Sequence, residues 1–352
     1  MITDDTLREG LQTPGFSFTI DEKLKMAEIL GNSGITRALV SYPSAHISEE
    51  EITRKIVERN YFKEVFGLGR TLELDIDKIY STGANISLHL PFTLEDMDSV
   101  LKAVRYASSK GRIVEVGLVD VTRFTDKELI SLATKVSEAG ADVIQLPDTK
   151  GLATPFRMRN IVELVKKNVS SMLEVHCHND NGSSVANALA GIEAGADYVD
   201  CSIFGIGERN GITDLASIVS ILELEGQKTG VNIKSLLKCY DFLHDLILEK
   251  IGPSLFDANF PVFGENTSVH TAGTHAASSR VFTGSKYSIN VYTGKHMIKN
   301  ILRTLNIDIP DDMLTKLVGM IKDISVSTGK SVNVEQISKM CRELIEDEKS
   351  IS

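Results

Sequence analysis

Two histidines one residue apart, His176 and His178, stand in the run HCHND. In a strand, residues two apart share a face, so the two imidazoles point together while Cys177 points away. Two imidazoles on one side suit a divalent metal, although an HxH pair also fits histidines that bind nothing. A second cluster, DDTLREG, brings Asp4, Asp5, Arg8 and Glu9. A carboxylate from it, added to two histidines with open positions left over, makes a Lewis-acid site; taken alone, the run reads as a charged, solvated loop. In LPDTKG, Thr149 offers a hydroxyl to a substrate carboxylate. The neighbouring Lys150 raises a Schiff base, but the turn shows no desolvation to lower an amine pKa, and a surface lysine is the simpler reading. GIGERNGITDL contains GxG, yet Asn210 stands where a dinucleotide fingerprint has its third glycine, so a nicotinamide cofactor is unsupported. Its glycines instead let backbone approach a ligand, with Glu208 and Arg209 pairing beneath the site. HTAGTH carries His270 and His275, whose spacing fits a second metal site, an acid–base group or plain loop polarity.

These residues fall where strands should end. From residue 1 to about 230, short apolar runs alternate with amphipathic segments, the pattern of βα units around a parallel sheet. Eight strand candidates appear: ITDDTL, TRALVSY, VFGLG, ANISLHL, RIVEVGLV, DVIQLPD, LEVHCHN and YVDCSIFG. The expectation is an α/β protein with a (β/α)8 barrel over 1–230, a doubly wound open sheet being the alternative. A mostly helical accessory segment is expected over 231–352, entered through FDANFPVFGENTSVHTAGTHAASSR, which is rich in His, Thr, Ser and Gly. In such a barrel the active site gathers at the C-terminal ends of the strands, which is where HCHND, LPDTKG and DDTLREG lie.

The 352 residues are 42% hydrophobic and 24% charged, with no apolar run near the roughly 18 residues of a membrane span. A net charge of −10 counts against a general nucleic-acid surface. MITDDTLREG lacks a basic stretch followed by an apolar one, and Cys177, Cys201, Cys239 and Cys341 show no CxxC pairing. A cytoplasmic protein with reduced cysteines is expected.

Taken in order, DTLREG, DTKGLATP, HCHND, GIGERNGIT and HTAGTH resemble the family of 2-isopropylmalate, homocitrate and citramalate synthases, with hydroxymethylglutaryl-CoA lyase more distant. The likeness runs from residue 4 to about 296. It implies a metal-bearing barrel mouth, an accessory segment over the active site and a homodimer. It implies one divalent ion (Mg2+, Mn2+ or Zn2+) on Glu9, His176 and His178, with Arg8 beside it against oxyanion charge. Thr149 resembles the binder of a 2-oxo acid's carboxylate, and Gln12 and His89 match further substrate-binding positions. His275, with Tyr287 as a looser match and Glu208, resembles the proton-transfer group. The implied reaction condenses acetyl-CoA with a 2-oxo acid, and the HTAGTH segment, absent from the lyases, favours condensation over cleavage. Glu9 in REG and the run ERNGIT resemble homocitrate synthase and point to 2-oxoglutarate; 2-oxoisovalerate or pyruvate is the alternative acceptor. In VEVGLVDVTR, Val119 stands where the family has a glutamate, and no arginine for a distal substrate carboxylate is evident. A barrel that binds metal and 2-oxo acid without turnover is the reading of another class.

Overall fold

The computed structural model describes residues 1–253, 266, 269–270 and 286–351, with backbone alone for 270, 286–287 and 347–351. Eight parallel strands follow one another around a closed barrel: β1 (Ile2–Asp4), β2 (Arg37–Ser41), β3 (Glu64–Arg70), β4 (Asn85–His89), β5 (Val114–Gly117), β6 (Val143–Asp148), β7 (Met172–Cys177) and β8 (Tyr198–Cys201). Each lies within or overlaps one of the eight strand candidates. Pairing of β1 with both β2 and β8 closes the sheet and rules out the open doubly wound alternative. Between and after the strands run α1 (Ile20–Asn32), α2 (Ile47–Glu58), α3 (Glu73–Ser81), α4 (Met97–Ser108), α5 (Asp126–Glu138), α6 (Pro155–Lys166), α7 (Ser184–Glu193) and α8 (Leu215–Leu224). Their starts are written locally. Thr19 with Glu22 and Thr125 with Glu128 form reciprocal capping boxes, and Thr154 caps α6 just before Pro155.

The layer between strands and helices is apolar, with Val40, Ile86, Val116, Ile144 and Val175 fully buried. The lumen is not. Barrel interiors are usually filled by branched apolar side chains, whereas here Thr3, Arg37, Ser87, Glu115, Gln145 and Glu174 fill it, all buried. Arg37 lies between the rings of Phe66 and Tyr198, 4.0 and 4.3 Å from their centroids. Its guanidinium donates to Thr3 Oγ1 (3.0 Å), Glu64 (2.7 Å) and Glu115. Thr3 passes the contact on to Glu174 Oε2 (2.9 Å), and Gln145 Nε2 donates to Glu174 Oε1 (3.0 Å). A charge removed from water is tolerated only with such partners.

After the barrel, α9 (Ile233–Lys250) packs on α1. Two short parallel strands, β9 (Val269–His270) and β10 (Lys286–Tyr287), precede α10 (Lys295–Thr304), α11 (Asp311–Thr328) and α12 (Val334–Ile351). The last three helices share a small core around Ile298, Leu302, Leu317, Ile321 and Ile337. The link between β10 and α10 reaches the barrel mouth: Asn290 Nδ2 donates to Leu11 O (2.6 Å), and Tyr292 donates to Glu49 (3.2 Å), which also holds the buried Lys23 (2.7 Å). His46 meets Asp323 at 2.7 Å on the same side. All four cysteines are buried and unpaired with one another. No helix among the described residues is long and apolar enough to cross a membrane.

Burial, and next the charge of Glu174, push the Glu115 carboxyl up to about 7 from 4.5. The folded chain thus keeps a proton that the unfolded chain releases, so this group's contribution to stability is lost as pH rises from about 4.5 through about 7. Glu115→Gln does not titrate. Its unfolding free energy relative to wild type, measured in urea, should improve by about 2–3 kcal/mol between about pH 5 and pH 8; a gap that stays constant with pH counts against a proton held at Glu115.

Candidate active site

His176 is the penultimate residue of β7, and His178 follows Cys177 just past the strand end, so both imidazoles reach the C-terminal mouth while Cys177 is buried on the other side. Their Nε2 atoms approach to 3.3 Å. At that distance two lone pairs converging on one cation, or a single shared proton, are the arrangements available. His176 Nδ1 lies 2.6 Å from Asp200 Oδ2 on β8. Ligand-type atoms of Asp5, His176 and Asp200 all fall within 4.8 Å of one another.

The first strand supplies the charge. Beyond Asp4 the chain turns tightly: Asp5 O receives the backbone N–H of Arg8 and of Glu9, and Asp5 Oδ1 receives Glu9 N–H again (3.2 Å). The turn places Arg8 between the carboxylates of Asp5 and Glu9, and the guanidinium bonds to both. These anions, outweighing the cost of burial, keep Arg8 a permanent cation. Burial raises the Asp5 carboxyl well above its ordinary range, with Arg8 pulling it back down and Asp200 adding to the rise. Burial, reinforced by Glu174, likewise raises Asp200. Glu9 Oε1 accepts from Glu208 N–H (2.9 Å), and the Gln12 amide, turned to donate, reaches both Glu9 oxygens at 3.1 and 2.6 Å.

The loop after β8 closes over this turn because its glycines let it. Gly207 passes so near Glu9 that an added Cβ would stand 2.9 Å from Glu9 Cγ, and at Gly211 (φ +75°) a Cβ would sit 1.7 Å from Gly205 O. Asn179 N–H donates to Gly211 O (2.9 Å), strapping the loop to the HCHND segment. The expected pairing of Glu208 with Arg209 is a minor contact of 3.9 Å. Arg209, in left-handed backbone at φ +57°, instead grips Asp180 with Nε (2.6 Å) and Nη2 (2.9 Å) and donates to Thr149 O (2.8 Å). It thereby ties three βα loops together.

Thr149, nearly buried, accepts Asp120 N–H on Oγ1 (2.9 Å). Lys150 sits 2.9 Å from Asp120 Oδ2, an ion pair rather than an apolar amine pocket, which removes the Schiff-base reading. His89 ends β4 beside Gly117, where a Cβ would be 2.8 Å from the imidazole Cδ2. Val119 closes the β5 end, and the next residue, Asp120, is turned by a φ of +59°. His275 lies outside the described residues, as does the side chain of Tyr287. The Asp200–His176 contact and the Gln145 amide behind it were missed from sequence; the available signal was an aspartate two residues before Ser202 in the apolar strand YVDC.

Fold and geometry define a (β/α)8 barrel whose C-terminal mouth pairs an imidazole–carboxylate centre, suited to one divalent cation, with a fixed guanidinium. Residues 1–243 match the HMGL-like family, and the chain is an enzyme of that family. The 2-isopropylmalate synthase of Sulfurisphaera tokodaii is 34% identical over 95% of this chain and 92% of its own. That of Methanocaldococcus jannaschii is 32% identical over 98% of this chain and 71% of its own. Among solved structures, the HMG-CoA lyase of Bacillus subtilis superposes with a TM-score of 0.64 at 18% identity, covering 72% of this chain and 95% of its own. The carboxyl transferase domain of Rhizobium etli pyruvate carboxylase gives 0.63 at 14%, covering 100% and 61%. These two likenesses are of fold.

Gly211→Ala should lower the unfolding free energy by at least about 2 kcal/mol, since the new methyl meets a carbonyl oxygen in a backbone conformation that disfavours it. A variant that unfolds at the wild-type urea concentration would show that the loop closes without that glycine.

Proposed function

We propose that this enzyme condenses acetyl-CoA with a 2-oxo acid, taking 2-oxoisovalerate as acceptor and yielding 2-isopropylmalate and CoA, a step of amino-acid biosynthesis. The observation that carries the chemistry is the imidazole pair at the barrel mouth, with a ligand atom of His176 within 4.8 Å of the Asp5 carboxylate that Arg8 binds. By the resemblance, His176, His178 and Glu9 would hold the cation, which would supply Lewis acidity to the acceptor's carbonyl; among the described residues the carboxylates whose ligand atoms gather with His176 are those of Asp5 and Asp200, Glu9 being turned to Arg8, Gln12 and Glu208 N–H. Arg8 presents a lasting positive charge to the oxygen that becomes an alkoxide as the new carbon–carbon bond forms. Thr149 spends an acceptor lone pair on Asp120 N–H and keeps its hydroxyl proton for the acceptor's carboxylate. Gln12 and His89 line the same mouth as further substrate contacts. A proton leaves the acetyl methyl, the enolate carbon attacks C2 of the acceptor, and water cleaves the thioester to release CoA. His275, with Tyr287 and Glu208, is the proposed group for moving these protons, and the chain works as a homodimer.

Two observations support 2-oxoisovalerate over 2-oxoglutarate as the acceptor. The named relatives are 2-isopropylmalate synthases. Also, Arg123 of the β5 loop is engaged elsewhere, its guanidinium 4.2 and 4.5 Å from the rings of Phe92 and Phe124 with Nη1 on Phe92 O. A second acceptor carboxylate would have no guanidinium from that loop.

CoA release, followed with a thiol reagent across 2-oxoisovalerate, 2-oxoglutarate and pyruvate with Mg2+ or Mn2+, tests this reading. The expected result is chelator-sensitive release that is fastest with 2-oxoisovalerate, and a drop of at least about a hundredfold in Arg8→Ala. Preference for 2-oxoglutarate would restore homocitrate as product. Absence of release with every acid, metal being bound, would leave a barrel that binds without turnover.

A further inference from the structure

Three neighbouring strands carry, at adjacent inward positions, side chains that lead from the centre into the lumen. In register, Gln145 on β6 faces Glu174 on β7, and His176 on β7 faces Asp200 on β8. Asp200 Oδ2 meets His176 Nδ1 at 2.6 Å and receives Gln145 Nε2 at 3.3 Å; the same amide nitrogen donates to Glu174 Oε1 at 3.0 Å. Glu174 is held in turn by Thr3 (2.9 Å) and lies 3.4 Å from Arg37 Nε. All six residues are buried, so none of these bonds competes with bulk water. An imidazole that donates from Nδ1 presents a bare Nε2, and here Nε2 is the nitrogen that faces His178.

We propose that Asp200 and Gln145 are positioning residues of the metal centre. Asp200 holds the His176 ring with Nε2 toward the cation, and Gln145 locks Asp200 to the Glu174–Arg37 end of the lumen. The inference rests on the cation assignment made above. The polar lumen then fixes the tautomer and the plane of one ligand from inside the barrel. Asp200 acts through His176; in the competing arrangement the cation sits among Asp5, Asp200 and His176 Nδ1, which requires the other tautomer of the ring, with Nε2 protonated.

The test uses the full chain, stripped of metal, and Mn2+ as probe, with free Mn2+ read by electron paramagnetic resonance and His176 read by long-range 15N–1H spectra. The expected spectrum shows His176 protonated at Nδ1 with Nε2 bare. Mn2+ affinity should fall about 10- to 100-fold in Asp200→Asn and several-fold in Gln145→Leu, while Ser87→Ala, in the same lumen but bonded to Glu115 instead, should stay within about twofold of wild type. Should Asp200→Asn fail to fold, Gln145→Leu, checked by its urea midpoint, carries the test. Protonation at Nε2 in the wild type overturns the proposal. So does wild-type Mn2+ affinity in folded Gln145→Leu, or an equal loss in Ser87→Ala, which would mean that any loosening of the lumen weakens the site. None of these readouts depends on CoA release, so they stand or fall apart from the choice of acceptor.

Discussion

Arg37 lies in a barrel lumen where no water solvates it, and neutralising it dictates what the strands around it carry. Glu115 and Glu174 face it from two strands, Thr3 and Ser87 fill the remaining donor and acceptor needs, and two aromatic rings cover its faces. An apolar filling would hold the barrel equally well, and replacing a buried ion cluster by packed hydrocarbon is often neutral for stability. What an ion cluster adds is direction. Each of its bonds has one geometry, and through Gln145 and Asp200 that geometry extends to the ring of His176.

The mouth is organised by the same need on a smaller scale. Arg8 is a second buried cation, and Asp5 and Glu9 on either side of it are set by a turn whose own backbone bonds come from Asp5. Because Asp5 takes one side of the guanidinium, Glu9 is left pinned by Glu208 N–H and Gln12, facing the loop after β8. That loop reaches the turn only because Gly207 and Gly211 carry no side chain. Arg209 fastens the loops after β6, β7 and β8 into one rim through Thr149 O and Asp180. Positive charge at the mouth is therefore immobile before any substrate arrives, which is the condition under which it stabilises developing negative charge most.

What could be read from the residues follows from which forces act locally. Strand periodicity and capping pairs such as Thr19 with Glu22 are local, so all eight βα units were visible, as was the alternation that sets His176 and His178 on one face. The lumen was not visible. Arg37, Glu115 and Glu174 stand singly in apolar runs, and only closure of the barrel shows that residues 78 or 137 positions apart meet in one network. Arg209 illustrates the opposite error: its neighbour Glu208 was the obvious partner by sequence, but a left-handed backbone at Arg209 turns the side chain away to Asp180. The helical segment over 231–352 was expected as an accessory part, and its contacts with Leu11 and Glu49 depend on chain-distant residues that no local pattern announces.

On the proposed reaction, the end of β5 is the part of the mouth that bears on the acceptor. Gly117 leaves space that the His89 ring occupies, Val119 contributes hydrocarbon, and Asp120 is drawn off by Lys150 and Thr122. Arg123, three residues on, is stacked between two phenylalanines. The described part of this loop thus offers an acceptor no cation and, at Val119, no carboxylate. A branched, uncharged side chain loses little by entering such surroundings, whereas a second carboxylate would leave its hydration without a counter-charge in return. At Val119 itself the loop carries no group that could take a proton, and the carboxylate that follows, Asp120, is held by Lys150 and Thr122. The charged groups of the mouth are in this way unevenly placed: the end of β5 is mainly hydrocarbon, and the loops after β1, β7 and β8 carry Arg8, Asp180 and Arg209.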